Sequence, residues 1–204
     1  MTGRSDRALL ITPGAGHDRD QSSLVAIEAA LAAHGVAVER MDFPYRRAGR
    51  KAPDRAPVLI DAVREGAAAL AARTGLPPEK IALGGRSMGG RMCSMAVAEG
   101  LPARALVLIA YPLHPPGRPE RARTEHLPAL HVPCLFVSGT KDPFGTPAEL
   151  ERWTATIGGP VEHVWIDGKG HDLRGADRRV AEVAAEWISA RAARAPRRAP
   201  RRRG

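Results

Sequence analysis

The chain has 204 residues, of which 44% are hydrophobic and 26% charged. That length suits one domain and can bury a core without disulfide or metal staples, and that composition excludes disorder, collagen and coiled coil. Two cysteines, Cys93 and Cys134, build neither a disulfide framework nor a Cys-x-x-Cys metal pattern, so a reducing cytoplasm is the expected compartment. No apolar stretch approaches the ~18 residues of a membrane span, and the run Ala8–Thr12 is too short for a signal sequence, so no membrane partner is expected.

The net charge of +9 is concentrated at one end. Residues 191–204, RAARAPRRAPRRRG, hold seven arginines and no acid. Taking those seven from the 31 basic residues leaves 24 against 22 acids, an ordinary balance. The tail is read as solvated and disordered, open to weak polyanion contact without sequence preference. It is set apart from a domain spanning residues 1–190.

Along the chain, short apolar runs alternate with longer amphipathic ones. Ala8–Thr12 reads as a strand closed by Pro13-Gly14. Leu24, Ile27 and Leu31 mark a helix over Asp20–His34, stopped by Gly35. Val36–Phe43 is a second strand, and 44–53 is a basic, polar surface loop. A helix over Ala56–Thr74 ends at Gly75-Leu76-Pro77-Pro78. Lys80–Gly84 is a short buried strand, Ser87–Gly100 a helix, and Arg104–Ala110 a strand. The proline-rich segment Tyr111–His131 is irregular. Cys134–Ser138 and Val161–Ile166 are strands, separated by a helix over Thr146–Ile157. Ala176–Ala193 is the last helix. Six strands alternating with helices predict a parallel sheet in a three-layer α/β/α sandwich with right-handed crossovers. The unbroken apolar runs ALLIT, ALVLIA and CLFVSG suit strands buried on both faces.

The chemistry concentrates in KIALGGRSMGGRMCS, residues 80–94, which contains the G-x-S-x-G Gly85-Arg86-Ser87-Met88-Gly89 between a strand and a helix. That context is the one a nucleophile elbow requires. Glycines flank the serine because a tight strand-to-helix turn leaves no room for side chains. The helix N-terminus then directs its dipole at the serine oxygen, and the Met88 N–H becomes an oxyanion donor. Two phosphate-loop readings fail on residue identity. Arg91-Met92 stands where a P-loop has Lys-Ser/Thr, and Arg19 where the dinucleotide fingerprint started by Gly14 has its third glycine. A glycine-rich helix start can also serve packing alone, so the rest of a triad is needed.

A serine nucleophile needs a base, and the base an orienting acid. Downstream, the strand Cys134–Ser138 runs into Asp142, and the strand Val161–Ile166 runs into His171. Both loops leave the carboxyl ends of parallel strands, the reactive edge of such a sheet. The order serine, acid, histidine is met with separations of 55 and 29 residues. The loop after the first strand, Thr12–His17, supplies a second oxyanion donor: Ala15, with Gly16 as the alternative.

The segments TPGAGHDRD (12–20), GGRSMGGRM (84–92), SGTKDPFGT (138–146) and GKGHDL (168–173) together resemble the α/β-hydrolase superfamily. The likeness runs to about Ala190. It is closest to the small bacterial hydrolase-like proteins grouped with testis-expressed hydrolase-like proteins and a histone acetyltransferase-complex subunit. Dienelactone-hydrolase-like proteins are more distant. The resemblance implies a minimal form of that fold, with six parallel strands in the order 2-1-3-4-5-6 and no large cap domain. It also implies serine hydrolysis of a small or exposed ester or thioester through an acyl-enzyme, with Ser87 as nucleophile, His171 as base and Asp142 as orienting acid. No cofactor and no metal are expected, since the seven histidines form no ligand motif. The competing reading is a catalytically inactive interaction module of the same fold.

Other residues stay ambiguous. Arg86 and Arg91 can hold a substrate carboxylate or pair with structural acids such as Asp18 or Asp20; the structural pairing is the expectation. His17 can line the pocket, while Asp18 is expected to cap the helix that starts near Asp20. His114 and His126 are expected to be exposed, Cys93 to sit in the core, and the three tryptophans to be core or interface.

Overall fold

The computed structural model describes residues 6–192. Six parallel strands, β1 (Ala8–Thr12), β2 (Ala37–Arg40), β3 (Ile81–Arg86), β4 (Leu106–Ile109), β5 (Cys134–Gly139) and β6 (Val161–Ile166), form one sheet in the order β2-β1-β3-β4-β5-β6. This is the order implied by the resemblance, and no large cap is inserted between the elements. The arginine-rich stretch expected to be disordered falls outside the described residues from 193 onward; its first two residues end the last helix.

Strand composition follows depth. Every residue of β1, β3, β4 and β5 is buried, as their unbroken apolar sequences require. The edge strands β2 and β6 carry charge or polarity in AVER and VEHVWI and stay partly exposed. Alternation along each strand then sends side chains into two cores. Leu10, Leu83, Leu108 and Phe136 pack beneath α3 (Ala56–Thr74), α4 (Met88–Ala98) and α5 (Pro147–Thr154). Leu9, Ile11, Val107, Ile109 and Val137 pack beneath α1 (Ser22–Ala32) and α6 (Asp177–Ala192).

The chain goes from β1 outward to β2, then crosses back over β1 to β3 and proceeds the other way. Strand order therefore reverses between β1 and β3, and their carboxyl ends open the crevice where such sheets place ligands.

Two sequence expectations are corrected. The segment 44–53 is not simply a surface loop. Pro44 opens a single helical turn, α2 (Pro44–Arg47), and Tyr45 within it is fully buried beside Phe43, ring centroids 6.4 Å apart. The two aromatics drive the turn into the core despite its arginines. Strand β2 is also shorter than expected, because Met41 and Phe43 leave the ladder while remaining buried.

Candidate active site

The segment Gly84–Gly90 packs so tightly that side chains are excluded. A Cβ on Gly85 would overlap Thr12 Oγ1 and lie 2.6 Å from the Gly90 nitrogen; one on Gly89 would lie 2.5 Å from the Pro13 carbonyl. The glycines thus let α4 start directly against the end of β1. Between them Ser87 is held at φ 48° and ψ −117°, a region that costs a non-glycine residue about 1–3 kcal/mol. Its N–H continues the sheet ladder to the Ile109 carbonyl at 2.8 Å, which helps hold the strained turn.

That turn aims the Ser87 Oγ at His171 Nε2, 2.8 Å away. His171 Nδ1 lies 2.8 Å from Asp142 Oδ2 and 3.1 Å from Oδ1. Asp142 is 3% exposed, and its Oδ1 also accepts the Phe144 N–H at 2.8 Å. The buried carboxylate therefore has its position fixed from two sides. Phe144 stacks on the imidazole with centroids 4.0 Å apart, and Arg86 Nη2 donates to the His171 carbonyl at 3.0 Å. The structure brings Ser87, His171 and Asp142 into one hydrogen-bonded line.

Across from Ser87 lies the loop after β1. Gly14 accepts from the His17 N–H at 3.2 Å, and Gly16 sits at φ 77°, the signature of a turn that needs glycine at its third position. Gln21 Oε1 accepts the Gly14 N–H at 2.9 Å and pins the loop. The Gly16 N–H is already committed to Tyr45 Oη at 3.2 Å. Among the described residues, neither the Ala15 N–H nor the Met88 N–H has a hydrogen-bond partner. Both residues line a cleft of about 490 Å³ together with Ser87, His171 and Phe144. That volume is in the range that takes a small organic ligand.

Arg86 and Arg91 also line this cleft, with Arg123 beside them and His17 exposed at its mouth. The expected pairing of Arg86 or Arg91 with Asp18 or Asp20 does not occur. Asp18 pairs with Arg46 at 3.2 Å and Asp20 with Arg40 at 2.7 Å, because the polar turn α2 and strand β2 bring those arginines closer. Neither acid caps α1; its N-cap is Gln21, whose side chain serves Gly14 instead.

His114 and His126 are not exposed either. His114 is 5% exposed, with Nε2 3.5 Å from Glu149. His126 Nε2 lies 2.9 Å from Ser94 Oγ and 3.0 Å from Tyr111 Oη. The Ser94 contact fastens the proline-rich segment to α4 and the Glu149 contact ties it to α5, while the Arg123 N–H to Leu113 carbonyl bond of 2.8 Å closes it on itself and Leu127 and Leu130 are buried. Burial foremost, then the positive Arg91, pulls His126 down to about 4. Cys93 is fully buried, as expected, and burial pushes its thiol up to about 12.

Three residues of the site carried no usable signal in the sequence. Arg123 lies in an irregular segment, and Gln21 and Tyr45 act through contacts across the fold. Phe144 had a faint one: an Asp two residues earlier commonly accepts its own chain's N–H in a turn.

The chain matches the family model described as Alpha/beta hydrolase domain over residues 5–197. An uncharacterised protein of Mycobacterium tuberculosis is 31% identical over 193 residues, 84% of this chain. The chain spans 65% of that relative's length. Among solved structures, dienelactone hydrolase from Anabaena variabilis superposes with a TM-score of 0.74 at 22% identity, over 91% of this chain and 87% of that one. Est1E from Butyrivibrio proteoclasticus gives 0.74 at 17% identity, over 93% and 90%. A hydrolase of the alpha/beta superfamily from Xanthomonas campestris, described as putative, gives 0.67 at 21%, over 90% and 99%. Likeness at these identities speaks for the fold alone, but the family model covers nearly the whole chain, which therefore belongs to the alpha/beta hydrolase domain family.

Proposed function

We propose that the protein is a serine hydrolase of small or exposed esters or thioesters. The observation that carries this reading is the unbroken line from Ser87 Oγ through His171 to buried Asp142, ending on a strained elbow. Strain of that kind persists only where the surroundings enforce it, and it is typical of reactive positions.

In this reading Ser87 Oγ attacks the substrate carbonyl while His171 Nε2 takes its proton. Asp142 holds Nδ1–H toward itself, so Nε2 is the basic nitrogen, and it stabilises the imidazolium that forms. The oxyanion lies between the Met88 and Ala15 N–H groups; each such donor contributes about 10²–10³ in rate. Gly16, the alternative donor, is disfavoured by its bond to Tyr45. His171 returns the proton to the leaving alcohol or thiol. Water, activated by the same histidine, then releases the acid and restores Ser87. The residues need no metal or organic cofactor for these steps.

Arg86 acts here as a positioning residue, since it grips the His171 carbonyl. The open cleft and the fastened segment 111–131 suit a substrate that need not be enclosed. Within the family we place the chain nearest the small bacterial hydrolase-like proteins, on its four matching segments. We place it in the cytoplasm on its two buried thiols, and among the described residues no helix is long and apolar enough to cross a membrane.

The test is labelling with a fluorophosphonate probe, read by intact mass. Wild type is expected to gain one adduct, lost in Ser87→Ala. A folded wild type that takes no adduct would favour the inactive interaction module instead.

A further inference from the structure

Of the three arginines lining the cleft, two have no structural employment. Arg86 donates to the His171 carbonyl and lies in the field of Asp177, Asp172 and Asp142. Arg91 and Arg123 differ. Among the described residues neither side chain makes a hydrogen bond or an ion pair, although nine other arginines do pair with acids. Arg91 Nε is buried without a partner. Both line the one cleft, where burial foremost makes Arg91 harder to protonate, the like charge of Arg123 adds to that, and Tyr111 and Glu125 act against it.

Two like charges kept together in a half-buried cleft are unfavourable unless an anion joins them. A guanidinium remains protonated at neutral pH even so, and offers a planar fork that matches a carboxylate. Their placement is enforced. Arg91 stands one helical turn after Ser87, its N–H bonded to the Ser87 carbonyl at 3.1 Å. Its own carbonyl accepts from Ser94 Oγ at 2.8 Å, and Ser94 is in turn bound to His126. Arg123 is three residues before His126, so the same cluster that fastens the segment 111–131 to α4 brings the second guanidinium to the first.

The charge pattern also distinguishes the cleft from the groove beside it. Asp18, Asp20, Asp172 and Asp177 line the adjoining groove with Arg86 and Arg174, so that groove carries more acid than base. An anion there would meet carboxylates, whereas an anion in the cleft beside Ser87 meets Arg91 and Arg123. From this geometry we infer that the substrate is an ester or thioester that carries a carboxylate, held by Arg91 and Arg123. The inference rests on Ser87 being the nucleophile.

The test compares the full-length protein on monoethyl glutarate and on ethyl pentanoate, its uncharged analogue of equal chain length, by pH-stat. Wild type is expected to favour the anionic ester in kcat/KM by at least about tenfold, the discrimination typical of one charge-assisted hydrogen bond. In Arg91→Gln, and separately in Arg123→Gln, that preference is expected to fall toward unity. Glutarate alone is expected to slow fluorophosphonate labelling of wild-type Ser87, and added salt to weaken that protection. This assay needs neither a variant nor turnover, so it decides the matter if a variant misfolds or neither ester is cleaved. Labelled Ser87 with no anionic preference and no protection by glutarate would overturn the carboxylate site and leave the hydrolase reading standing. No labelling at all would overturn both.

Discussion

Asp142 shows how much of the proposed chemistry depends on single contacts. Its carboxylate is nearly inaccessible, yet it accepts from both His171 and the Phe144 backbone. Asp142→Asn keeps the volume but presents an amide that can donate to His171, reversing the tautomer. The expected result is a fall in kcat of about 10⁴, with the fold unchanged by circular dichroism. His126 makes a prediction of a different kind. Held at about 4 by burial, it stays neutral in the folded chain, while an exposed histidine takes up a proton near its ordinary value of 6.5. Between those values the unfolded state binds more protons, so stability is fully present above about pH 6.5 and is lost as pH falls toward 4. The loss is on the order of 3 kcal/mol. Urea midpoints measured at pH 7 and pH 5 should therefore separate for wild type and draw together for His126→Gln.

At the scale of elements, the site is a junction between the end of β1, the end of β3 and the start of α4. Glycine at 85 and 89 sets how closely these three approach. Gly89→Ala would drive a methyl against Thr12 Oγ1 and the Pro13 carbonyl, the backbone that leads into Ala15. The expected cost is about 1–3 kcal/mol, read as a lower urea midpoint. Activity should fall by more than stability explains, because α4 must shift away from the loop that faces Ser87. The proline-rich segment follows the same logic of attachment. Its length suggests a lid, but His114 and His126 are both inward, and the His114 N–H is bonded to the Phe144 carbonyl at 3.0 Å. It is better described as a fixed wall that carries Pro112 and Arg123 into the cleft.

For the whole molecule, charge is distributed unevenly: a nearly balanced body, a terminal cluster of seven arginines, and two unpaired arginines within the cleft. The terminal cluster and the cleft are proposed to have separate roles. Deleting residues 191–204 is expected to abolish salt-sensitive retention on a polyanion column, while leaving fluorophosphonate labelling of Ser87 intact. Retention that survives the deletion would assign polyanion contact to the body instead. The sheet itself explains why so short a chain can hold such a site. Two cores on opposite faces of six strands bury large side chains around the reversal between β1 and β3, where the crevice opens.

The sequence by itself determined the strand and helix alternation, because apolar runs buried on both faces and amphipathic helical periods are written in local order. It also determined the edge at which Ser87, Asp142 and His171 emerge, since each follows a strand of a parallel sheet. Glycine spacing revealed the elbow because steric exclusion acts between near neighbours as well as distant ones. What the tertiary structure decided were the partners. Asp18 and Asp20 are claimed by Arg46 and Arg40, Gly16 by Tyr45, and Arg123 is delivered to Arg91 through His126. Those pairings join residues that are distant in the chain or that sit in irregular segments. No period or propensity encodes them; they follow from which side chains the packed cores force together and which they leave unpaired.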